Sequence, residues 1–458
     1  MRRVTGIRPA GTGLRGRRRL GRAIGAVAIM TGVGGAALAA ATAAQASWTP
    51  VTTLTGRTWE GVDPAISANA KGAFITAWEG INNADPNCGN QIQIRLRSSA
   101  GKWGSIHQLT PCSGPTMVFP AVAYNPAGYG VVAWLRVKDD AIQAVTVSPA
   151  GKIGPVLTVT PKNNQAYFPM VAVSPAGQAL VVWQTINATS TGPNGVLARF
   201  ISSGGALGPV RFLGASTQLV SAPVFDKTGT ATVSYTATKV YEVRLTPNGV
   251  GQPAVVLSPA IGTSFGKPQL ADDSNGDTFV LVPQIVSVKN TQTEHLVVRK
   301  WSKARVLGKA VTVAIAAPTV TVNNIPDGPS LSADGAGDAV VVWNSALSST
   351  QAAVYGRRLS PAGTLGPAVR LGTGYLPHVA IDPAGAGLIT WQSTTYQSGL
   401  VTTIYGRHVT APKGTFGRLI KFTADGEHAQ IAVDQAGRSG VIWLRSSAAP
   451  LIQARFGS

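Results

Sequence analysis

The chain holds two thiols, Cys88 and Cys112, and five histidines. In an oxidising compartment an even pair of cysteines points to one disulfide. A zinc site needs about four spaced ligands, and His107, His295, His378, His408 and His428 show no such spacing. No metal and no cofactor is expected. Glycoside hydrolysis would call for two carboxyl groups flanking a bond. The candidates are Glu60, Asp63, Asp85, Asp139, Asp140, Glu294, Asp327, Asp425 and Glu427, and none sits in a distinctive motif. G-x-S-x-G, the P-loop and H-E-x-x-H are all absent. The expectation is therefore no catalytic residue, with an acid pair drawn from Glu60, Asp63 and Asp85 as the enzymatic alternative.

Two rows of side chains recur along the chain. Arg95, Arg199, Arg244, Arg299, Arg357, Arg407 and Arg455 occupy one register of a repeat, with Val145 in the remaining copy. They form either a ring of cations for a polyanion or a set of guanidinium groups laid over neighbouring aromatics. The latter fits better, because a tryptophan row recurs at the same period. A third group is irregular: Trp59, Phe119, Tyr167, Phe168, Phe265 and Tyr375, with Lys162, Lys267 and Arg57 nearby. Aromatics of this kind stack on sugar rings or plug a core. Trp59, Phe119, Tyr167, Phe265, Tyr375, Lys162 and Lys267 are the candidate ligand-binding residues.

These residues are placed by a repeat. PAISANAKGAFITAW from Pro64 returns as PAVAYNPAGYGVVAW from Pro120, PMVAVSPAGQALVVW from Pro169 and PHVAIDPAGAGLITW from Pro377. Further copies begin at Ser221, Pro268, Pro329 and Ala429, which makes eight starts spaced 47 to 61 residues apart. Five residues after each start stands Asn69, Asn125, Ser174, Asp226, Asp273, Asp334, Asp382 or Asp434. Three further on is always a glycine, from Gly72 to Gly437. This spacing predicts strand, tight turn, strand, with the Asx side chain capping the turn and glycine supplying a positive φ. The second strand is continuously apolar (LVVW, VVVW), as a strand buried on both faces must be. A second phrase (IQIRLRSSAGKWG, VYGRRLSPAGTLG) adds a third strand, a turn and a fourth strand in each unit.

Eight units of four strands predict an all-β, eight-bladed β-propeller of antiparallel blades. The last unit stops after its third strand, LIQARFGS. Trp48 to Thr55 aligns with the fourth strand of the next unit, Trp103 to Thr110, so the mature N-terminal strand is expected to pair with the C-terminal blade. In such a blade the 2–3 loops share a face with the blade-to-blade connections. Here those loops are long and varied (GINNADPNCGNQ, TINATSTGPNG), whereas the 1–2 and 3–4 turns are short and uniform. Binding usually lives in variable loops on a rigid scaffold. Cys88 and Cys112 fall in neighbouring loops of that same face, where a bridge can form.

The first 46 residues read as a secretory signal: eight arginines and no acid, an apolar run from Ala23 to about Ala44, and Ala44-Gln45-Ala46 as the cleavage site. The expected domains are this signal, 1–46, and one propeller, 47–458. Removing the eight arginines from a net charge of +20 leaves +12. Such a charge draws polyanions such as acidic polysaccharide or an anionic cell-wall polymer, and it also keeps a secreted protein soluble. No later stretch is apolar for long enough to span a membrane.

The phrase V-A-x-D-P-A-G-x-A-x-V-x-W, as in VAIDPAGAGLITW, resembles the repeat of uncharacterised secreted bacterial β-propeller proteins, over essentially the whole mature chain. That resemblance implies the fold and carries no activity or site. The sialidase Asp-box, S-x-D-x-G-x-T-W, is not matched, because here Asp-to-Gly is three and Gly-to-Trp is six. Nor is the quinoprotein docking repeat matched, since AVDQAGRSGVIW lacks its Thr. The sequence thus points to a secreted or envelope-associated monomer. It would be a non-catalytic recognition propeller that engages a glycan, polyanion or protein, but not a specific nucleic-acid sequence, through the variable-loop face.

Overall fold

The computed structural model describes residues 47–457 apart from 86, 113–115, 163, 186–193, 216–218, 259–262, 274, 289–290, 317–327, 349–350, 397–399, 412–413 and 446–448. The proposed export segment, 1–46, and Asp327 lie outside the described residues.

The chain forms eight antiparallel sheets with the strand order one-two-three-four, the innermost strand being split in two in blades 4 and 5. Blade 3 is typical, with strands Ala166–Val173, Ala179–Thr185, Gly195–Ile201 and Leu207–Gly214. The innermost strands begin at Trp59, Met117, Ala166, Leu219, Thr263, Ser330, Tyr375 and Glu427. Each touches the next, and the last touches the first, so the ring is closed. Blade 8 takes its outer strand from the other end of the chain. Thr52–Thr53 pairs with Leu451–Gly457, and Trp48 bridges Gly457. Among the described residues the only helix is one 3-10 turn, Val137–Asp139.

The core is a set of eight hydrophobic clusters among the described residues, one in each gap between adjacent blades. Period-two geometry explains why strand two must be apolar throughout. Val131, Ala133 and Leu135 pack towards blade 3, whereas Val132 and Trp134 between them pack towards blade 1. Trp78, Trp134, Trp183, Trp391 and Trp443 are fully buried. Each removes about 200 Å² from water, roughly 5 kcal/mol at 25 cal/mol/Å². The residue opposite on strand three completes the site. Gln93, Gln143 and Gln453 accept the indole N–H of Trp78, Trp134 and Trp443 at 3.0–3.2 Å. Tyr355 and Tyr405 instead stack on Trp343 and Trp391.

The arginine row does something the sequence reading did not anticipate. Arg95 lies over Trp103 at 5.3 Å and Arg244 over Trp301 at 5.4 Å, as expected of neighbouring aromatics, but these are not the strand-two tryptophans. The row staples backbone. Arg199 donates to Gly208 O on strand four of its own blade at 2.6 Å and to Val159 O of the preceding blade at 2.7 Å. Arg299, Arg357 and Arg407 repeat the pattern. Arg455 does it to the closing strand, at Thr49 O. Buried carbonyls at the blade edges need donors, and a long fork with several N–H groups supplies two at once.

The 1–2 turns are built as the spacing predicted. Asp382 Oδ1 accepts the N–H groups of Ala384 and Ala386, and Asn69, Asp334 and Asp434 do the same in their turns. All eight turn glycines have positive φ, between +76° and +92°. The structure adds a second reason for glycine. A Cβ on Gly385 would stand 2.9 Å from Asp334 Oδ2 of the preceding blade, and one on Gly337 equally close to Asp273 Oδ2. These two turns are therefore keyed to their neighbours.

Candidate ligand-binding site

The innermost strands carry a break at one register, the residue just before each repeat start. In blades 1, 2, 3, 7 and 8 the ladder slips there. The slipped residues are Asp63, Phe119, Phe168, Leu376 and His428, all left-handed with φ between +49° and +57°. A bulky L-residue in that region costs about 1–2 kcal/mol. Such strain persists only where surrounding contacts over-determine it, and it concentrates at functional sites. In blades 4, 5 and 6 the same register holds Val220, Lys267 and Gly328.

Two of the bulges are held from the blade before. Glu79 Oε1 accepts the Phe119 N–H at 2.8 Å, and Gln392 Oε1 accepts the His428 N–H at 3.0 Å. Both acceptors follow the strand-two tryptophan. Phe119 and Phe168, 40% and 48% exposed, stand side by side with ring centroids 5.1 Å apart. The pair offers an exposed apolar surface on the inner strands of blades 2 and 3.

Further round, three basic side chains stand near the same register. Lys267, His378 and His428 come from blades 5, 7 and 8 and are half-buried. Burial first, then the charges of His428 and Lys267, push the His378 imidazole down to about 4. Burial alone draws the Lys267 ammonium down. On the blade 1 side stands a carboxyl pair. Burial and a hydrogen bond with Asp63 push Glu79 up to about 8, against the opposing pull of the Phe119 N–H and of Asn90. Asn90 Nδ2 donates to Glu79 Oε2 at 3.1 Å.

The anticipated site residues separate into several environments. Phe119 is exposed on its bulge, and Lys267 is half-buried at the same register of blade 5. Trp59 is half-buried. Tyr167 donates its hydroxyl to Asp140 at 3.3 Å. Lys162 is exposed on a connection. Phe265 and Tyr375 are 9% and 5% exposed and serve as packing. Cys88 and Cys112 form the disulfide, with Cα atoms 4.7 Å apart. Glu60, Asp63 and Asp85 do not form an acid pair with one another: Asn83 holds Glu60, Asp85 caps the loop at Asn87, and the partner of Asp63 is Glu79. Glu79, His378 and His428 escaped notice as site residues. Their signal was positional: each stands at or beside a register that changes chemistry from blade to blade.

A separate charged cluster is buried between blades 4 and 5. Arg244 lies 3.4 Å from Glu242 and donates to Ser302 O and Trp301 O. Burial pushes Glu242 and Asp272 there up to about 7. Among the described residues no group of three His, Cys, Asp or Glu is arranged to hold a metal ion. No described helix is long and apolar enough to cross a membrane.

No protein-family model and no curated protein matches the sequence. Solved propeller structures do. A protein of unknown function from Dyadobacter fermentans is 12% identical, with 90% of this chain and 99% of that one covered and a TM-score of 0.41. The polysaccharide lyase Uly1 is 10% identical, with coverage of 72% and 87% and a TM-score of 0.45. An ulvan lyase of polysaccharide lyase family PL25, bound to -[GlcA(1-4)Rha3S]-, is 8% identical, with coverage of 88% and 95% and a TM-score of 0.44.

Proposed function

We propose that this is an exported recognition propeller that binds an extracellular or envelope glycan at the mouth of its channel, on the variable-loop face, without catalysing a reaction on it. One observation carries the reading. The inner-strand register ahead of each repeat start is strained in five blades and holds Asp63, Phe119, Phe168, Val220, Lys267, Gly328, Leu376 and His428 across the eight. The turn glycine of the same repeat is the same in all eight copies. The exposed Phe119–Phe168 pair is the natural platform for the apolar face of a sugar ring. The disulfide accords with an oxidising compartment.

A glycan array followed by titration calorimetry on the mature chain tests this. Phe119→Ala with Phe168→Ala should weaken any glycan found by at least fivefold. Binding that survives both changes would sink the reading.

A second reading has its own observation, the Asp63–Glu79 carboxyl pair, in which burial first and then Asp63 push Glu79 up to about 8. Two points weigh against catalysis there. Glu79 is only 3% exposed. Its bond to the next bulge is made in blade 7 by Gln392, an uncharged amide. A hydrolase or lyase activity that disappears in both Asp63→Asn and Glu79→Gln would reverse this preference.

A further inference from the structure

Charge is shared unevenly among the four strands of the repeat. Of 39 Lys and Arg, eight lie in residues 1–46, and the other 31 stand with 19 Asp and Glu in residues 47–458. The stretches from each 3–4 turn to the end of strand four are 98–110, 148–160, 202–214, 246–258, 302–316, 360–373 and 411–423, with 47–55 closing blade 8. Together they hold ten of the 31 cations and none of the 19 acids. The remainder of 47–458 is close to neutral, with 21 cations against 19 acids. Most of the excess positive charge therefore sits on the outermost strands and the turns that lead into them.

Strand four is the edge of every sheet. Edge strands are often charged to block edge-to-edge pairing, but either sign serves that end. Solubility asks for net charge on the surface, not for its confinement to one strand in four. The charge is densest on three consecutive blades, 5 to 7, whose outer strands are Val311–Ala316, Val369–Thr373 and Thr415–Thr423. On these strands and their turns stand Lys303, Arg305, Lys309, Arg370, Arg418 and Lys421, all six exposed. Among the described residues none of the six is in an ion pair, whereas Arg136, Arg244, Lys300, Arg358 and Arg438 elsewhere are. Arg305 donates to Gln252 Oε1 at 2.8 Å and Arg370 to Thr373 Oγ1 at 3.3 Å, both uncharged acceptors. Behind the wall, Arg299, Arg357 and Arg407 add three guanidinium groups that are bonded to carbonyls, not carboxylates.

The same wall has no platform for a sugar. Its strand aromatics, Phe416 and Phe422, pack into the gaps between blades. A pyranoside chain presents broad ring faces between its charges, and those faces call for an exposed aromatic. Scattered cations on long stems suit instead a flexible chain of phosphates, which is bound through charge and counter-ion release.

We infer that the outer wall of blades 5 to 7 is a docking surface for a flexible phosphate-ester polymer, of the poly(glycerol phosphate) kind. The wall is separate from the proposed glycan-binding mouth, so a propeller held there keeps its mouth free.

The test is binding of the mature chain to poly(glycerol phosphate) over a range of salt concentrations. The logarithm of the affinity should fall linearly with the logarithm of the salt concentration. Arg370→Glu, Arg418→Glu and Lys421→Glu together should weaken binding at least tenfold and reduce the slope by about 2. The milder set Arg370→Gln, Arg418→Gln and Lys421→Gln should act in the same direction, less strongly. A charge-matched control away from the wall, Lys71→Glu with Lys138→Glu and Lys227→Glu, should change binding less than threefold. Phe119→Ala with Phe168→Ala should leave it unchanged.

Equal losses in the wall set and the control set would mean that net charge alone binds the polymer, and would overturn the surface. So would a loss on changing Phe119 and Phe168, or no binding by the wild-type chain. Tighter binding of polygalacturonate or of phosphatidylglycerol vesicles than of poly(glycerol phosphate) overturns the choice of partner. None of these results bears on the glycan mouth, which the glycan array tests by itself.

Discussion

The two ends of each inner strand obey opposite rules. At the turn end, eight blades hold Asn69, Asn125, Ser174 and five aspartates, each followed by the same glycine. At the mouth end, a few residues earlier in the same repeat, eight blades hold seven different residue types. The turn end is constrained twice over, by the positive φ of its own glycine and by the side chain of the preceding blade against it. Only an oxygen-bearing side chain caps it. The mouth end is constrained less. Its left-handed bulge recurs in five blades, where the side chains range from the exposed Phe119 and Phe168 to the half-buried Asp63, Leu376 and His428, whereas Val220 of blade 4 is packed in the core. The ring is thus uniform at one end and chemically varied at the other, on one scaffold.

The largest expected effect concerns what holds the mouth side. Asn82 and Asp85 cap turns within the long loop of blade 1, and a covalent link ties it to the next connection. Cys88→Ser with Cys112→Ser should cost about 3 kcal/mol of unfolding free energy in urea, because the bridge closes a loop between residues 24 apart in sequence. A loss below about 1 kcal/mol would mean that the loop is held by other contacts.

Next comes the contrast in glycine itself. Gly385→Val puts a β-branched residue at φ +86° and drives its Cβ against Asp334. It should lower stability by about 2–3 kcal/mol while leaving ligand affinity unchanged. Were that variant as stable as the wild type, the keyed turn ring would not be a structural constraint.

The pH dependence of stability bears on the mouth through Glu79. Its folded value of about 8 exceeds its unfolded value, as do the values of about 7 for Glu242, Asp272 and Glu294. For a raised acid, the stabilising difference is full below the unfolded pKa of roughly 4 and is lost as pH rises through the folded one. His378, lowered to about 4, acts the other way, but only below its unfolded value near 6.5. Between about pH 6.5 and 9 the carboxyls lower stability as they ionise, with about 2 kcal/mol lost through Glu79, while the lowered Lys267 acts in the opposite sense. Glu79→Gln should remove the Glu79 loss, as measured by calorimetric scans. An unchanged pH dependence would show that Glu79 is not raised in the folded chain.

The smallest effect is the most diagnostic. Phe168→Gly removes left-handed strain of about 1–2 kcal/mol and forfeits a ring contact of about 1 kcal/mol. Stability should stay within about 1 kcal/mol of the wild type, although a glycine removed from the turn end is costly. Were Phe168→Gly to destabilise strongly, the mouth residue would be a packing residue after all.

Much of this was legible in one dimension. The eightfold repeat, the four strands per unit and the closing of blade 8 by Thr52–Thr53 follow from spacing, because turn chemistry and period-two burial act on neighbours in sequence. The disulfide followed once the loops were assigned to faces. The roles of the arginines and of the mouth register were not legible. Arg199 donates to a carbonyl 40 positions away in the preceding blade, and no local pattern announces a carbonyl that lacks a donor. Phe265 and Tyr375 read like Phe119, yet they are buried where Phe119 is exposed. Inside or outside at that point depends on the bulge and on the adjacent blade.

Taken alone, the amino-acid sequence determined the architecture, since every requirement of a blade, from capping Asx to paired-face strand, is met within some fifty residues and then repeated. Only the tertiary structure decided the site. Eight residues spaced by whole blades become neighbours when the ring closes. Which of them are exposed there, and which are packed, are properties of the closed ring that no single repeat contains.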